Sequence, residues 1–173
     1  KIILQKDIFQ QQLLVPDAKN KYENEIRALF TDKTNRLWIA SKAGKLKVYQ
    51  NNQELKNLFL NYKTEDIGLI YTITGDAKGN IWLGTKGKGL YKATPVNVQK
   101  SQYILKQFKA DKNDPESISS DLIYSVLEDK KGRIWIGTYD NGINLLEENH
   151  GKFSFIHNFK NYPVTESGKV RYL

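Results

Sequence analysis

The 173-residue chain has no cysteine, no methionine and two histidines, and no apolar run in it approaches the length that crosses a bilayer. Without cysteine there are no disulfides, no thiolate metal sites and no cysteine nucleophile, a composition that suits the cytosol and the periplasm equally. His150 and His157 stand seven residues apart with no carboxylate-rich loop to complete a ligand set, so no metal centre is expected. Lys1 and Lys6 flank only a short apolar stretch, Ile2-Ile3-Leu4, with no small-residue cleavage site after it, which excludes a signal peptide there. A chain that opens on Lys1 and lacks methionine reads as a piece of a longer protein.

Negative charge is the scarcer sign: 27 lysines and arginines face 19 acidic residues, a formal net charge of +8. That balance admits an acidic partner such as nucleic acid, a membrane surface or an anionic glycan. The lysines, however, are scattered through turn sequences (Lys33, Lys78, Lys130, Lys131) and gather on no single stripe. The charge therefore reads as solvation of a β surface, with no nucleic acid bound through this fragment and membrane contact only through the parent chain. With 39% hydrophobic and 12% aromatic residues the chain can build a core.

What the sequence does have is a repeat. Three segments align without gaps: Ile26 to Ser41, Ile70 to Thr85 and Ile123 to Thr138. Asp32, Asp76 and Asp129 each stand six residues before Trp38, Trp82 and Trp135, which are all the tryptophans of the chain. Ser41, Thr85 and Thr138 follow three residues after them. The tryptophans recur at steps of 44 and 53 residues. Before each Asp lies an alternating stretch rich in β-branched and aromatic types, as in Ile123, Ser125 and Leu127 against Tyr124 and Val126, which predicts a strand. Asp76-Ala-Lys-Gly79 and Asp129-Lys-Lys-Gly132 are turn sequences in which Asp accepts from nearby backbone N–H groups and Gly takes positive φ; Asn35 replaces that Gly in the first copy. Arg133 to Thr138 then reads as a strand buried on both faces, with Ile134 and Ile136 opposite Trp135. Gly84, Gly137 and Ala40 are expected where a side chain would crowd a neighbouring backbone.

Further turns at Lys86-Gly-Lys-Gly89, Asp140-Asn-Gly142 and Asn149-His-Gly151 introduce third and fourth strands, Ile143 to Leu146 and Phe153 to Ile156 in the last copy. Four antiparallel strands in some 45 residues, closed by a longer loop to the next copy, describe one blade of an all-β propeller. The period-2 pattern and the Gly-rich hairpins exclude helical and leucine-rich solenoids, and helix content should be very small. We divide the single propeller fragment, 1–173, into the end of a preceding blade (1–24), blade one (25–66), blade two (67–119), blade three (120–162) and the start of a following blade (163–173). A closed ring needs about four to eight blades. An incomplete ring leaves faces that predict self-association or contact with remaining blades.

The string Asn113-Asp-Pro-Glu-Ser117 through Asp129-Lys-Lys-Gly-Arg-Ile-Trp-Ile-Gly-Thr138 resembles the two-component-regulator propeller repeat of bacterial hybrid two-component sensor histidine kinases, especially those of gut Bacteroidetes. Copy three matches the pattern nearly throughout and copy two from Asp76 to Leu90, whereas copy one departs at Asn35, Ala40 and Ser41. The resemblance implies a non-catalytic periplasmic sensor region of an inner-membrane-anchored protein. It would perceive oligosaccharides and signal to a kinase elsewhere in the parent chain, with no cofactor. In such repeats the aspartates are turn residues and no phosphoacceptors.

Tyr71 and Tyr124 share one repeat position, and Lys86 and Tyr139 share another. With Asp140 they are the candidate ligand contacts, because aromatic rings stack on the apolar faces of sugars and propeller ligands sit over such loops. Packing between blades is the competing account of the tyrosines. Asp32, Trp38, Asp76, Trp82, Gly84, Thr85, Asp129, Gly132, Trp135, Gly137 and Thr138 are assigned to the structural repeat. Asp66, Asp76, Asp121 and Asp129 form no defined acid pair of the kind glycosidic chemistry uses. Gly84 to Gly89 lacks the Gly-Lys-Ser/Thr ending and the helix of a phosphate loop. A protein-interaction scaffold and a glycan-active propeller enzyme are the competing functional readings. Nucleic-acid binding ranks below both and would require a steep salt dependence.

Overall fold

The computed structural model describes residues 13–97 and 101–157. It is an all-β structure of three four-stranded antiparallel sheets. The first holds β1 (Ile26–Thr31), β2 (Leu37–Ser41), β3 (Leu46–Gln50) and β4 (Gln53–Glu54). The second holds β5 (Ile70–Gly75), β6 (Ile81–Thr85), β7 (Leu90–Asn97) and β8 (Gln102–Phe108). In the third are β9 (Ile123–Glu128), β10 (Ile134–Thr138), β11 (Ile143–Asn149) and β12 (Lys152–Ile156). Strands run in chain order across each sheet, and β5 packs against both β1 and β9. These first strands are therefore the innermost of three blades, which do not close into a ring among the described residues. Single 3₁₀ turns at Lys21–Glu23 and Thr64–Asp66 are the helical content of the described residues. The expected strand material at Ile2 to Leu4 and Ile8 to Phe9, and the blade start at 163–173, lie outside them.

Each repeat aspartate closes the hairpin between the first two strands. Asp76 Oδ1 accepts from the backbone N–H of Asn80 at 2.8 Å, and Asp76 Oδ2 from the indole N–H of Trp82 at 2.9 Å. The same pair of contacts recurs from Asp32 to Arg36 and Trp38, both at 3.0 Å, and from Asp129 to Arg133 and Trp135 at 3.0 and 2.9 Å. Gly79, Gly132 and Asn35 complete these turns at positive φ. The carboxylate thus orients an indole as well as a turn.

That orientation builds the core between the blades. Trp38 leaves blade one to meet Tyr103 of blade two edge-on at 5.4 Å, and Trp82 leaves blade two for the cluster of Ile123, Val126 and Ile136 in blade three. Both indoles are fully buried, while Trp135 points to the outer face of blade three and is half-buried. The strand expected to be buried on both faces is so in the middle blade alone, where every residue of β6 is buried. In the first strands only blade one is open at the matched position: Ile26 is 47% exposed, against 1% for Ile70 and 0% for Ile123.

The first strands depart from simple alternation. Ile70 pairs with Thr85 but Thr72 with Gly84, Ile26 with Ser41 but Ala28 with Ala40, and Ile123 with Thr138 but Ser125 with Gly137. One extra residue per blade (Arg27, Tyr71 or Tyr124) forms a β-bulge. The bulge reverses the facing of the residues on its C-terminal side. Ile123, Ser125 and Val126 are buried and Leu127 is exposed, which corrects the alternation expected for this strand. Gly84 also needs correction. A Cβ there would lie 2.5 Å from Thr72 Cγ2 and 2.7 Å from Ile123 Cγ2, so the crowding comes from side chains of two blades rather than from backbone.

The long crossovers fasten neighbouring blades. Leu58 O accepts from Tyr103 N–H at 2.8 Å, and Leu60 N–H donates to Tyr103 O at 3.0 Å, laying the crossover parallel to β8. In the second crossover, Asp111 and Asp114 accept from the N–H groups of Asn113 and Glu116, and Glu116 O accepts from Phe155 N–H at 2.8 Å. The Asn113-Asp-Pro-Glu-Ser117 segment is therefore a side-chain-braced loop seated on the outer strand of blade three.

Trp82→Phe should keep most of the packing but strip Asp76 of its indole donor, costing about 1–3 kcal/mol in urea unfolding; a neutral result would contradict the role given to this bond. Low pH should act through the same contacts. Donation from Trp135 leads the hydrogen bonds that hold the Asp129 carboxyl below its ordinary range. Burial works against Asp32, but hydrogen bonds from Trp38, Arg36 and Thr34 outweigh it and lower that carboxyl too. Their stabilisation is fully present above the unfolded carboxylate value, about pH 4, and is lost as pH falls through the lower folded values. The difference in melting temperature between the parent chain and Asp129→Asn should narrow between about pH 6 and about pH 2; a constant difference would refute the linkage.

Candidate functional site on the inner rim

In a four-stranded blade the connections alternate between two rims. The Asp turns lie on one rim with the β3–β4, β7–β8 and β11–β12 connections. The β2–β3, β6–β7 and β10–β11 turns lie on the other with the crossovers. Every residue singled out as a ligand contact falls on this second rim.

Its geometry repeats from blade to blade. The residue after the repeat Ser or Thr donates its N–H to the crossover: Lys42 to Glu25 O at 2.8 Å, Lys86 to Leu69 O at 2.9 Å and Tyr139 to Leu122 O at 2.9 Å. Two residues on from each acceptor stands the bulge residue, Arg27, Tyr71 or Tyr124. The rim therefore carries three equivalent pairs: Arg27 with Lys42, Tyr71 with Lys86, and Tyr124 with Tyr139. The Ser/Thr residues position these turns. Thr85 Oγ1 donates to Gly89 O at 2.7 Å and accepts from Lys88 N–H at 3.1 Å, and Thr138 does the same with Gly142 at 2.9 Å and Asn141 at 2.9 Å. Gly89 has no substitute here: its φ is +75° and a Cβ would lie 2.1 Å from Phe108 O.

Side chains join the pairs into a ladder. The Arg27 guanidinium lies 4.3 Å over the Tyr71 ring, Tyr71 meets Tyr124 edge-on at 4.6 Å, and Tyr124 lies 5.1 Å from Tyr139 at an interplanar angle of 30°. All three tyrosines are half-buried, and Arg27 and Lys86 are exposed. The ladder spans all three blades, so it packs blade against blade while keeping aromatic surface open. Lys42 pairs with Glu25, and its donation to that carboxyl is the main cause of the lowered Glu25 pKa. Asp140 is exposed at the β10–β11 turn, beside Tyr139 in the chain. Arg27 was absent from the expected contacts, although the gap-free repeat places it in register with Tyr71 and Tyr124.

The other candidates resolve into structural roles. Asp76 and Asp129 hold turns, and Asp121 accepts from Ala110 N–H through Oδ1 and from Gly87 and Gly89 N–H through its carbonyl. The Gly84 to Gly89 segment is a closed hairpin turn. His150 sits in a turn at φ 50°, and His157 lies just past β12 with Nε2 3.2 Å from Pro115 O. Among the described residues no group of three metal-ligating side chains converges.

The family model of the two component regulator propeller matches residues 66–87 and 117–140, the inner hairpins of blades two and three. These two stretches match the two component regulator propeller repeat. Blade one, whose turn has Asn35 in place of glycine, lies outside both matched stretches. The fold is shared with the extracellular domains of two hybrid two component systems from B. thetaiotaomicron. BT4673 is 22% identical over 79% of this chain with a TM-score of 0.59, and BT3049 is 20% identical over 78% with a TM-score of 0.57. The chain spans 19% and 18% of the length of those two structures. Virginiamycin B lyase from Staphylococcus aureus shares it too, at 16% identity over 80% of this chain and 42% of the enzyme, with a TM-score of 0.52. No curated protein matches the sequence.

If the ladder couples blades two and three, a double-mutant cycle of Tyr71→Ala and Tyr124→Ala should give a coupling of about 0.5–1.5 kcal/mol in urea unfolding. Additive losses would show that the rings merely lie near one another.

Proposed function

We propose that this regulator propeller is a non-catalytic sensor module of an extracytoplasmic receptor, that it perceives oligosaccharides, and that it signals to a histidine kinase elsewhere in the parent protein. The observation that carries the reading is the tyrosine ladder on the inner rim. Tyr71, Tyr124 and Tyr139 come from successive blades, and two of them occupy bulges, the device that re-aims side chains out of a sheet. Aromatic faces with polar tips, held by rigid strands, suit pyranose rings, which present one apolar face and a rim of hydroxyls. Similarity of fold to the extracellular domains of hybrid two component systems supports the placement outside the cytoplasm. No helix among the described residues is long and apolar enough to cross a membrane, so an anchor would be supplied by other parts of the parent.

In this scheme ligand binding across several blades biases their relative seating, and the receptor's membrane-linked protomers read that bias as a change of arrangement. The repeat residues Asp76, Trp82, Asp129 and Trp135 act indirectly by keeping each blade rigid. A screen of oligosaccharides by calorimetry should find a ligand whose affinity falls at least about tenfold in Tyr124→Ala, the loss of one good stacking contact. An intact affinity in Tyr71→Ala, Tyr124→Ala and Tyr139→Ala alike would remove the ladder from the binding site.

A further inference from the structure

The three equivalent pairs of the inner rim do not share one chemistry. Blade three supplies two tyrosines, blade two a tyrosine and a lysine, and blade one an arginine and a lysine. Charge therefore grows along the ladder from Tyr139 to Arg27, while the backbone geometry at each step stays the same. Of the three cations, Lys42 is committed to Glu25. Arg27 and Lys86 form no ion pair among the described residues, and both are exposed. Arg27 also rests against the ladder, its guanidinium carbon 4.3 Å from the Tyr71 ring centroid. Several cations elsewhere are matched: Lys47 and Lys56 share Glu54, Lys78 and Lys92 share Glu148, and Lys152 meets Glu116; what sets Arg27 and Lys86 apart is their place beside the tyrosine ladder.

Resting on the oligosaccharide reading, we infer that the ligand is an acidic oligosaccharide, its sugar rings stacked toward Tyr124 and Tyr139 and a carboxylate or sulfate held between Arg27 and Lys86. A planar guanidinium offers paired N–H donors to either anion, and the lysine adds a point charge that tolerates both. A neutral glycan would make no use of the charges of Arg27 and Lys86 at either side of Tyr71.

The test compares tetragalacturonate with its methyl ester, which keeps the sugar rings but removes the charges, in calorimetric titrations of the 173-residue chain. A heparin-derived tetrasaccharide provides a sulfated arm, maltotetraose a neutral arm and octathymidylate a non-sugar anion. At least one acidic glycan should bind about tenfold or more above the neutral glycans, and the Arg27→Gln/Lys86→Gln variant should abolish that preference. Lys130→Gln/Lys131→Gln, on the opposite rim, should leave it unchanged. Equal binding of neutral and acidic glycans, still sensitive to Tyr124→Ala, would overturn the acidic ligand and leave the oligosaccharide site standing. If no glycan binds, both readings fall. Acidic binding that follows Lys130 and Lys131, or that octathymidylate matches, would reduce the preference to net charge and overturn the inference. Circular dichroism and thermal melting of each variant establish that the fold is retained.

Discussion

The hydrogen bond from each repeat tryptophan to the aspartate six residues before it is the contact on which the rest of this architecture depends. A turn aspartate alone would close a hairpin, and a buried indole alone would add apolar area. Joined, they fix the turn, satisfy an N–H that burial would otherwise leave costly, and set the direction in which the ring leaves the sheet. Because that direction recurs, Trp38 and Trp82 each present themselves to the following blade. The core consequently lies between blades and not inside any one of them.

This arrangement divides the molecule by task. The rim of the Asp turns is saturated with local hydrogen bonds and holds the hairpins. On the opposite rim the Ser/Thr-closed turns and the crossovers create three copies of one backbone frame, each with a bulge residue beside a turn residue. The frame costs nothing extra to vary, since the bulge side chain is not part of the strand pairing. Arg27, Tyr71 and Tyr124 can thus differ while the blades remain alike, and the chemical gradient across the rim is the consequence. Recognition would then be written on a repeated scaffold by substitution at two positions per blade.

Much of this was legible in the sequence. Three tryptophans in one register, aspartates at a constant spacing and Asn-Gly or Lys-Gly turns led to four-stranded blades. The shared positions of Tyr71 with Tyr124 and of Lys86 with Tyr139 marked one rim as chemically distinct. The bulge was less apparent. Ile70 and Ile73, like Ile123 and Val126, stand three apart, an interval that an unbroken strand would place on opposite faces and that one extra residue brings to the same face. Reading through that interval as plain alternation put Leu127 inward and left Arg27 unremarked.

By itself the sequence determined the repeat, the strand and turn order within a blade and the residues that close each hairpin, because all of these are local: a side chain bonding its own turn, a glycine at positive φ, an indole six residues from its acceptor. Only the tertiary structure decided which residues meet across blades. Gly84 is small because Thr72 and Ile123 converge on it. The Asn113 to Ser117 loop, braced by its own aspartates, is placed by its seat on the strand that carries Phe155. Arg27, Tyr71, Tyr124 and Tyr139 become one surface because three inner strands pack side by side. Contacts between residues this far apart in the chain depend on the register of whole sheets, which no local pattern specifies.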